Sequence, residues 1–507
     1  MADRLTFGTA GLRGPLGEGP LCMNVEQVEL AAMAIAQWLP ANSTLIIGRD
    51  ARYGSEDFAH VTARVLTEAG HIPRLFSRPV PTPVIPFLIG ASDATAGVVV
   101  TASHNPATDN GYKVYSEDGG QLMPTDASMI EATMASLPWP ESVDTRLPSG
   151  LEDLGAQQID AYVAFVADTV GNTGQAPGVT VAYSAMHGVG GDLFTTVLEQ
   201  VGHHVQSVED QHDPNPDFPT AAFPNPEEPG TLDLVMALAD EVDADIVLAN
   251  DPDADRLAVA VRRTSGWERL TGDQIGVLLA WWTLESTERP CTVASSIVSS
   301  TLLAKLAAAR GAEHVSTLTG FKWLARAGSP EAPLAFAYEE ALGYSVIPTI
   351  RDKDGISAGL AFANLVALLK ADSRTVDDLL GELAEEFGHH LTAQVSIRFD
   401  GLDSMAQLAD VMSQLRFERP QAIGDMAVVE HIDLAEPDSG SAPQPVGRPA
   451  LPPSNVLIFN LDGGRLIVRP SGTEPKIKAY LEVIDTDPTA AQTALDSLRS
   501  ATGELLG

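Results

Sequence analysis

Three tandem α/β domains with mixed sheets, followed by an α+β domain, is the fold class the sequence predicts, and three observations predict it. The chain has 507 residues, too many for a single hydrophobic core. A unit of strand, polar loop, helix, glycine and strand recurs three times in the first two-thirds. After about residue 388 that unit gives way to antiparallel strand patterns and two helices.

The first unit is "STLIIGRDARYGSEDFAHVTARVLTEAGHIPRLF", whose amphipathic helix stops at Gly70. "GVTVAYSAMHGVGGDLFTTVLEQVGHHVQSV" repeats it with Gly202 in that place, and "CTVASSIVSSTLLAKLAAARGAEHVSTL" with Gly311. A glycine there accepts the left-handed conformation that ends a helix. Strand, helix and strand with short links imply a right-handed parallel crossover. In the last quarter, "TAQVSIRFD", "KIKAYLEV" and "NVLIFNLDGGRLIVRP" with its Asp462-Gly463 turn read as antiparallel strands. Helices are expected at roughly 404–416 and 488–505, and the insert "EPDSGSAPQPVGRPALPPS" as a surface loop. The expected domains are 1–150, 151–265, 266–388 and 389–507.

Composition narrows the function. With 68 acidic against 31 basic residues the formal charge is −37, which argues against an extended contact with nucleic acid or an anionic membrane. Any anion must be bound locally, as a few arginines and backbone N–H groups can bind a small phosphorylated metabolite. Cys22 and Cys291 have no metal-ligand spacing and read as free thiols. The first residues lack the regions of a signal peptide, and "IGVLLAWWTL" is about half a membrane span. A cytoplasmic protein is expected.

The chemistry is placed where strands end. "VVVTASHNP" puts Ser103 and His104 beyond the carboxyl end of an apolar strand, where open α/β sheets bind ligands; the same residues also suit a tight turn. Lys113, in "GYKVY", can return toward the serine as a cationic partner. "ANDPDADRLAV" carries Asp251, Asp253 and Asp255 in alternation, and an extended backbone would turn all three to one side. Three converging carboxylates need a cation, and oxygen-only donors suit Mg²⁺; an acidic surface turn is the competing reading, against which neighbouring Arg256 counts. "RLIVRPSGTEPK" follows Arg469 with Ser471, Gly472 and Thr473, small residues able to cradle a phosphate, or simply a hairpin loop. "FAYEEALG" places Glu339 and Glu340 after a strand, where a carboxylate can accept bonds from sugar hydroxyls, or stand in an exposed loop. "FGTAGLRG" surrounds Arg13 with glycines, permitting close approach to a ligand or a surface turn.

Together these segments resemble the α-D-phosphohexomutase superfamily over nearly the whole chain, one motif per domain and in order. "TASHNP" is similar to its active-site serine loop, "DPDADR" to its magnesium loop, "EEALG" to its sugar loop and "RPSGTEPK" to its phosphate loop. "AMHGVGG", "FPNPEEPG", "TLTGFKW" and "RDKDGISA" look most like the branch of phosphoglucomutases and phosphopentomutases. The resemblance implies four domains around one central cleft and a Ser103 that carries a phosphoryl group. It implies one Mg²⁺ held by Asp251, Asp253, Asp255 and the phosphorylated Ser103, with Arg13, His104 and Lys113 serving proton transfer and charge stabilisation. Arg256, Lys322, Glu339 and Lys353 would contact the substrate, and Arg469, Ser471, Gly472 and Thr473 would grip its non-reacting phosphate. The implied reaction interconverts glucose 1-phosphate and glucose 6-phosphate through glucose 1,6-bisphosphate, which also serves as activator; mannose and pentose phosphates are the alternatives within the family. A monomer or homodimer is expected, with a small phosphorylated sugar as partner. Ala341 stands where many relatives have a serine, so one hydroxyl contact is missing. The chain starts just before "FGTAGLRG", whereas relatives of this branch often carry a further N-terminal segment. From other classes, a metal-dependent phosphatase needs no second phosphate clamp, and a phospho-sugar sensor needs neither Ser103 nor the three aspartates.

Overall fold

The computed structural model describes residues 4–8, 11–171, 177–399, 403–436, 451–471 and 476–507. Two compact units are formed: Met1–Thr287 with Gly320–Gly328 and Leu334–Thr375, and Glu288–Thr319 with Ser329–Pro333 and Val376–Gly507.

In the first unit, strands β1 (Leu12–Pro15), β2 (Thr44–Arg49), β3 (Ile72–Phe76), β4 (Ala96–Val100), β5 (Asp109–Tyr115) and β6 (Glu152–Leu154) form one mixed sheet in the order β1-β5-β4-β2-β3-β6. The central strands β2, β3 and β4 are parallel, and β5 returns antiparallel to β4. The helix Ser55–Glu68 crosses from β2 to β3 with Phe58, Val61, Val65 and Leu66 buried on one face, and Gly70 follows at φ +84°. The second sheet repeats the plan: β7 (Thr180–Ser184), β8 (His204–Ser207), β9 (Ile246–Ala249), β10 (Ala258–Arg263) and β11 (Gly266–Arg269) run in the order β11-β10-β9-β7-β8. Here β7 is parallel to β8 and β9, and β10 is antiparallel to β9.

The helix Gly355–Ala371 is buried on nearly every side and packs on the helices Ala156–Val170, Gly191–Gln200 and Gly272–Ser286. Asp354 caps it, accepting from Ile356 N at 3.0 Å and Ser357 N at 3.1 Å, and also accepts from the Tyr162 hydroxyl at 2.8 Å. That cap fixes the segment just ahead of it, which carries Lys353.

In the second unit, strands Thr292–Ser296 and Glu313–Thr317 are parallel and joined through the helix Leu302–Ala309, with Gly311 at φ +69°. All three repeated units therefore make the parallel crossover that the sequence predicts. The C-terminal sheet has six strands, in spatial order His389–Arg398, Lys476–Asp485, Gly464–Pro470, Leu457–Leu461, Met426–Asp433 and Ala422–Ile423, with antiparallel neighbours throughout. The hairpin turns at Asp462-Gly463, with Gly463 at φ +85°. Helices Ser404–Glu418 and Pro488–Leu506 agree with expectation. The last two strands were not anticipated: Met426–Asp433 alternates irregularly and is exposed over much of its length, so periodicity gives little signal. Most of the Pro- and Ser-rich insert, 437–450, lies outside the described residues. Cys22 and Cys291 are free thiols, and among the described residues no single helix is long and apolar enough to cross a membrane.

Candidate active site

Buried β4 ends at Val100, and the chain turns sharply: Ser103 has φ +52°, and its N–H donates to Thr101 Oγ1 at 2.9 Å. A left-handed serine is strained, and here it aims the hydroxyl across to the second sheet. Ser103 Oγ donates to Asp251 Oδ2 at 2.6 Å and lies 3.2 Å from His104 Nδ1. Both Ser103 and Asp251 are buried. Burial, and then the nearby Arg256 and Arg13 guanidinium groups, push the His104 imidazole well below its ordinary pKa, which favours the neutral ring.

Asp251, Asp253 and Asp255 follow β9, are all fully buried, and offer oxygens within 4.8 Å of one another. The mechanism of convergence differs from the sequence expectation. The loop is a tight turn with Ala254 at φ +57°, not an extended run that alternates sides. Two other features hold it. Thr82 donates through both its N–H (2.9 Å, to Asp253 O) and its hydroxyl (2.8 Å, to Asp253 Oδ2). Arg256 N donates to Asp251 Oδ1 at 3.0 Å.

Lys113, on β5 and opposite Val99 of β4, donates to Asp253 Oδ2 and to Asp255 Oδ2, both at 2.7 Å. Its burial disfavours the charge, but the two carboxylates outweigh that and raise its pKa. Asp253 is pushed up by burial and by Asp255 beside it; Asp255 is held below the carboxylate range because Lys113, Lys353 and Arg256 overcome its burial. Asp253 Oδ1 and Asp255 Oδ1 are buried with no hydrogen-bond partner. Orphaned carboxylate oxygens inside a protein are costly. Three oxygen donors with two such orphans fit a hard divalent cation such as Mg²⁺.

Arg13 does not lie on a surface turn. It sits on edge strand β1 opposite Gly111, with Nη1 donating to Asn105 Oδ1 at 3.2 Å. The fold itself requires the glycine two residues before it: Gly11 has φ +90°, and a Cβ there would lie 1.9 Å from Tyr112 O. Arg256 Nη1 donates to Ala341 O at 3.0 Å, joining the acidic loop to the "EEALG" loop. Glu339, buried at the end of the strand Leu334–Glu339, has no side-chain hydrogen bond among the described residues. A Cβ at Gly343 would collide with both Glu339 and Lys353, which explains the glycine. Lys353 Nζ lies 3.3 Å from Asp255 Oδ2 and 3.5 Å from Asp352 Oδ1; these carboxylates outweigh its burial and raise its pKa. Asp352 accepts from the Tyr115 hydroxyl at 2.7 Å. Lys322 is buried too, and burial together with Arg326 lowers it to about 8. Arg326 makes a bidentate pair with Asp118, at 2.9 and 2.7 Å, and donates to Lys322 O at 2.8 Å.

Ten of the predicted residues, from Ser103 to Lys353, thus occupy the first unit together with Arg13. Arg469 and Ser471 belong to the second. Arg469 lies in the strand Gly464–Pro470, its guanidinium carbon 5.8 Å from the Tyr480 ring centre and its Nε buried without a hydrogen bond. Ser471 N donates to Lys476 O at 2.8 Å and closes the loop; Gly472 and Thr473 lie outside the described residues. Sequence reasoning missed Thr82, Arg52 and Phe223. Thr82 and Arg52 come from "PVPTP" and "GRDARY", which carry no chemistry until folded. Phe223, edge-on to His104 with ring centres 6.2 Å apart, lies in "FPNPEEPG", which had been singled out without a role.

Comparison with known proteins identifies the family and the fold. Residues 4–140, 160–266 and 271–387 match phosphoglucomutase/phosphomannomutase alpha/beta/alpha domains I, II and III, and 406–498 match the C-terminal domain of the same family. A Haemophilus influenzae protein named "Probable phosphomannomutase" is 40% identical, covering 93% of this chain and 95% of its own. Human phosphopentomutase is 33% identical (99% and 89% covered), and Staphylococcus epidermidis phosphoglucomutase 32% (94% and 90%). The crystal structure of a phosphoglucomutase/phosphomannomutase family protein from Burkholderia thailandensis shares the fold, with a TM-score of 0.74, 20% identity, and 100% and 98% of the two chains covered.

Proposed function

The chain belongs to the phosphoglucomutase/phosphomannomutase family of phospho-sugar isomerases, and from that premise we propose that it moves a phosphoryl group between C1 and the terminal hydroxyl of an aldose through a phosphoserine at Ser103. The observation that carries this reading is the meeting of Ser103 Oγ with Asp251 at 2.6 Å, beside a lysine that bridges Asp253 and Asp255. A nucleophile, a fixed cation and a carboxylate triad come from three segments far apart in sequence.

In the forward half-reaction the P–O bond to Ser103 Oγ breaks and one to the sugar hydroxyl oxygen forms. The hydroxyl proton passes to a neutral base, the role assigned to His104. The bisphosphate then presents its other phosphate to Ser103, and the same atoms exchange in reverse. Lys113, Arg13 and Arg256 stabilise the charge on the transferring group, which is most of what phosphoryl transfer asks of a protein. Asp251, Asp253 and Asp255, with the phosphorylated Ser103, would hold one Mg²⁺. Bound there, Mg²⁺ supplies charge neutralisation to the phosphoryl oxygens. Glu339 accepts sugar hydroxyls, with Lys322 and Lys353 beside the sugar, and Arg469 with Ser471, Gly472 and Thr473 holds the phosphate that is not reacting.

Glucose 1-phosphate is the substrate of this reading, with glucose 1,6-bisphosphate as intermediate and activator. Pentose phosphate is the second reading. It is favoured by relatives named phosphoribomutase and phosphopentomutase at 34% and 33% identity over 95% and 99% of the chain, and by Ala341, which offers no hydroxyl to a sugar. Parallel assays with glucose, mannose and ribose 1-phosphates, combined with mass mapping of phosphate on Ser103, test both levels. An unphosphorylated Ser103 in active enzyme would reject the mechanism, and the highest kcat/KM selects the sugar.

A further inference from the structure

One guanidinium holds the backbone of the whole serine loop. Arg52, buried in the turn between β2 and the helix Ser55–Glu68, donates through Nη2 to Ser103 O and Asn105 O, both at 2.6 Å. Through Nη1 it donates to Pro106 O at 2.7 Å and Asp109 O at 3.2 Å. The guanidinium is itself immobilised. Its Nε lies 3.2 Å from Asp50 Oδ2, and the Phe218 ring lies 4.9 Å from its central carbon. Asp50 is held in turn by Arg52 N at 3.0 Å and the Ser55 hydroxyl at 2.6 Å.

These contacts fix more than the path of the loop. In a trans peptide the C=O and the following N–H point in opposite directions. With Ser103 O turned to Arg52, the His104 N–H is turned away from it, and it donates to no group among the described residues. Ser103 is at φ +52°, a conformation that is unfavourable for a non-glycine residue and persists only where surroundings enforce it. The four carbonyls converging on Arg52 supply that enforcement.

We propose that Arg52 is a positioning residue for phosphoryl transfer: by gathering these carbonyls it sets the peptide orientation that points Ser103 Oγ at Asp251 and offers the His104 N–H to an oxygen of the phosphoryl group. Lysine cannot replace it. An ammonium has the charge but not the planar fork that spans two carbonyls per nitrogen. The inference rests on Ser103 being the phosphoryl carrier.

The test compares full-length wild type, Arg52→Lys and Arg52→Ala in kcat, KM for the sugar 1-phosphate, occupancy of phosphate on Ser103 and melting temperature. A misplaced nucleophile costs about a hundredfold, so both variants should lose about that factor in kcat, with KM nearly unchanged. Millimolar guanidinium should restore part of the activity of Arg52→Ala and none in Arg52→Lys, where the ammonium occupies the site. If Arg52→Ala does not fold, the kcat against KM split in Arg52→Lys decides. Wild-type kcat in Arg52→Lys, a loss lying wholly in KM, or a loss that only follows the unfolded fraction would each overturn the proposal. Wild-type enzyme that is active without phosphate on Ser103 would instead overturn the reading of function, so the two failures are distinguishable.

Discussion

Two buried clusters of charge, one in each unit, differ in how completely their carboxylates are satisfied. In the first unit, Asp251, Asp253 and Asp255 face Lys113, Lys353 and Arg256, and two buried carboxylate oxygens, Asp253 Oδ1 and Asp255 Oδ1, accept no hydrogen bond. In the second, Glu482 alone collects the Ser300 hydroxyl (2.6 Å), Thr301 N (2.8 Å) and His390 Nδ1 (2.8 Å) on Oε1, and Arg465 Nε (2.8 Å) on Oε2. Both of its oxygens are bonded. Arg465 also reaches Ile297 O at 3.1 Å and Ser299 O, so the loop ahead of the helix Leu302–Ala309 is tied to the C-terminal sheet. A saturated carboxylate stabilises the fold, whereas an unsaturated set retains capacity for a ligand. The first cluster is read as chemistry and the second as structure, and the two should respond to perturbation in opposite ways.

The largest expected effect is at the first cluster. Ser103→Ala removes only a hydroxyl, so melting temperature should hold while turnover falls at least ~10³-fold. Near-normal turnover would remove Ser103 from the reaction. Next is the metal. EDTA should abolish activity and Mg²⁺ restore it, because charge neutralisation of this kind is worth several kcal/mol, or at least about a hundredfold. Mg²⁺ should also raise the melting temperature in a concentration-dependent manner, since it binds the folded state. Full activity after exhaustive chelation would break the assignment of the orphaned oxygens.

Arg469 tests a contact outside either cluster. A charged hydrogen bond to a phosphate is worth about 1.5–3 kcal/mol, so Arg469→Ala should raise KM roughly ten- to a hundredfold and change kcat less. It should also release more free bisphosphate per turnover, measured by trapping. A fall confined to kcat would place Arg469 at the reacting centre.

The second cluster should do the converse. Burial raises the Glu482 pKa, but Arg465, His390 and Ser300 together outweigh it and bring it to about 2. An ordinary glutamate titrates near 4.3, so its ionised form contributes roughly 3 kcal/mol of stability at neutral pH. Because the folded value is the depressed one, that contribution is present above about pH 4.3 and is lost as pH falls toward 2. Glu482→Gln should lower stability by a similar amount and flatten the acid limb of the unfolding curve, while turnover at a permissive temperature stays close to wild type. A variant with unchanged acid unfolding would show that the saturated Glu482 carboxylate is not structural.

The smallest effect is a pH dependence. Lys322 has its pKa lowered to about 8, so its ammonium is lost as pH rises through that value. KM for the sugar phosphate should therefore rise above about pH 8, and Lys322→Met should remove that limb. A pH-independent KM would take Lys322 out of the substrate site.

Much of this was legible beforehand because it is local. The Gly70, Gly202 and Gly311 stops, the Asp462-Gly463 hairpin and the helices near 404 and 488 all depend on neighbours in sequence, and the structure has each. The expected phosphate loop "RPSGTEPK" is one contiguous stretch, of which Gly472 and Thr473 lie outside the described residues. Ser103, Lys113 and the three aspartates are separate hints in the residues alone, and only the family resemblance joins them into one site before the structure does. The three carboxylates converge as expected, but by a different local route. Alternation in "DPDAD" suggested a loop with an extended backbone, while Ala254 at φ +57° turns it tightly. Among the glycines of "FGTAGLRG", Gly11 is required by the fold itself, because it makes room for Tyr112 O.

The sequence by itself determined the elements, their order and the residue types that carry the chemistry, because hydrophobic period, turn residues and charge act over a few residues. The tertiary structure alone decided which of the 68 acidic side chains lose water together and which cations meet them. Ser103 lies 148 positions from Asp251, and Lys113 lies 142 from Asp255. Only chain folding removes enough solvent to make those contacts strong, to push the His104 pKa down, and to bring Arg52 to the carbonyls of the serine loop.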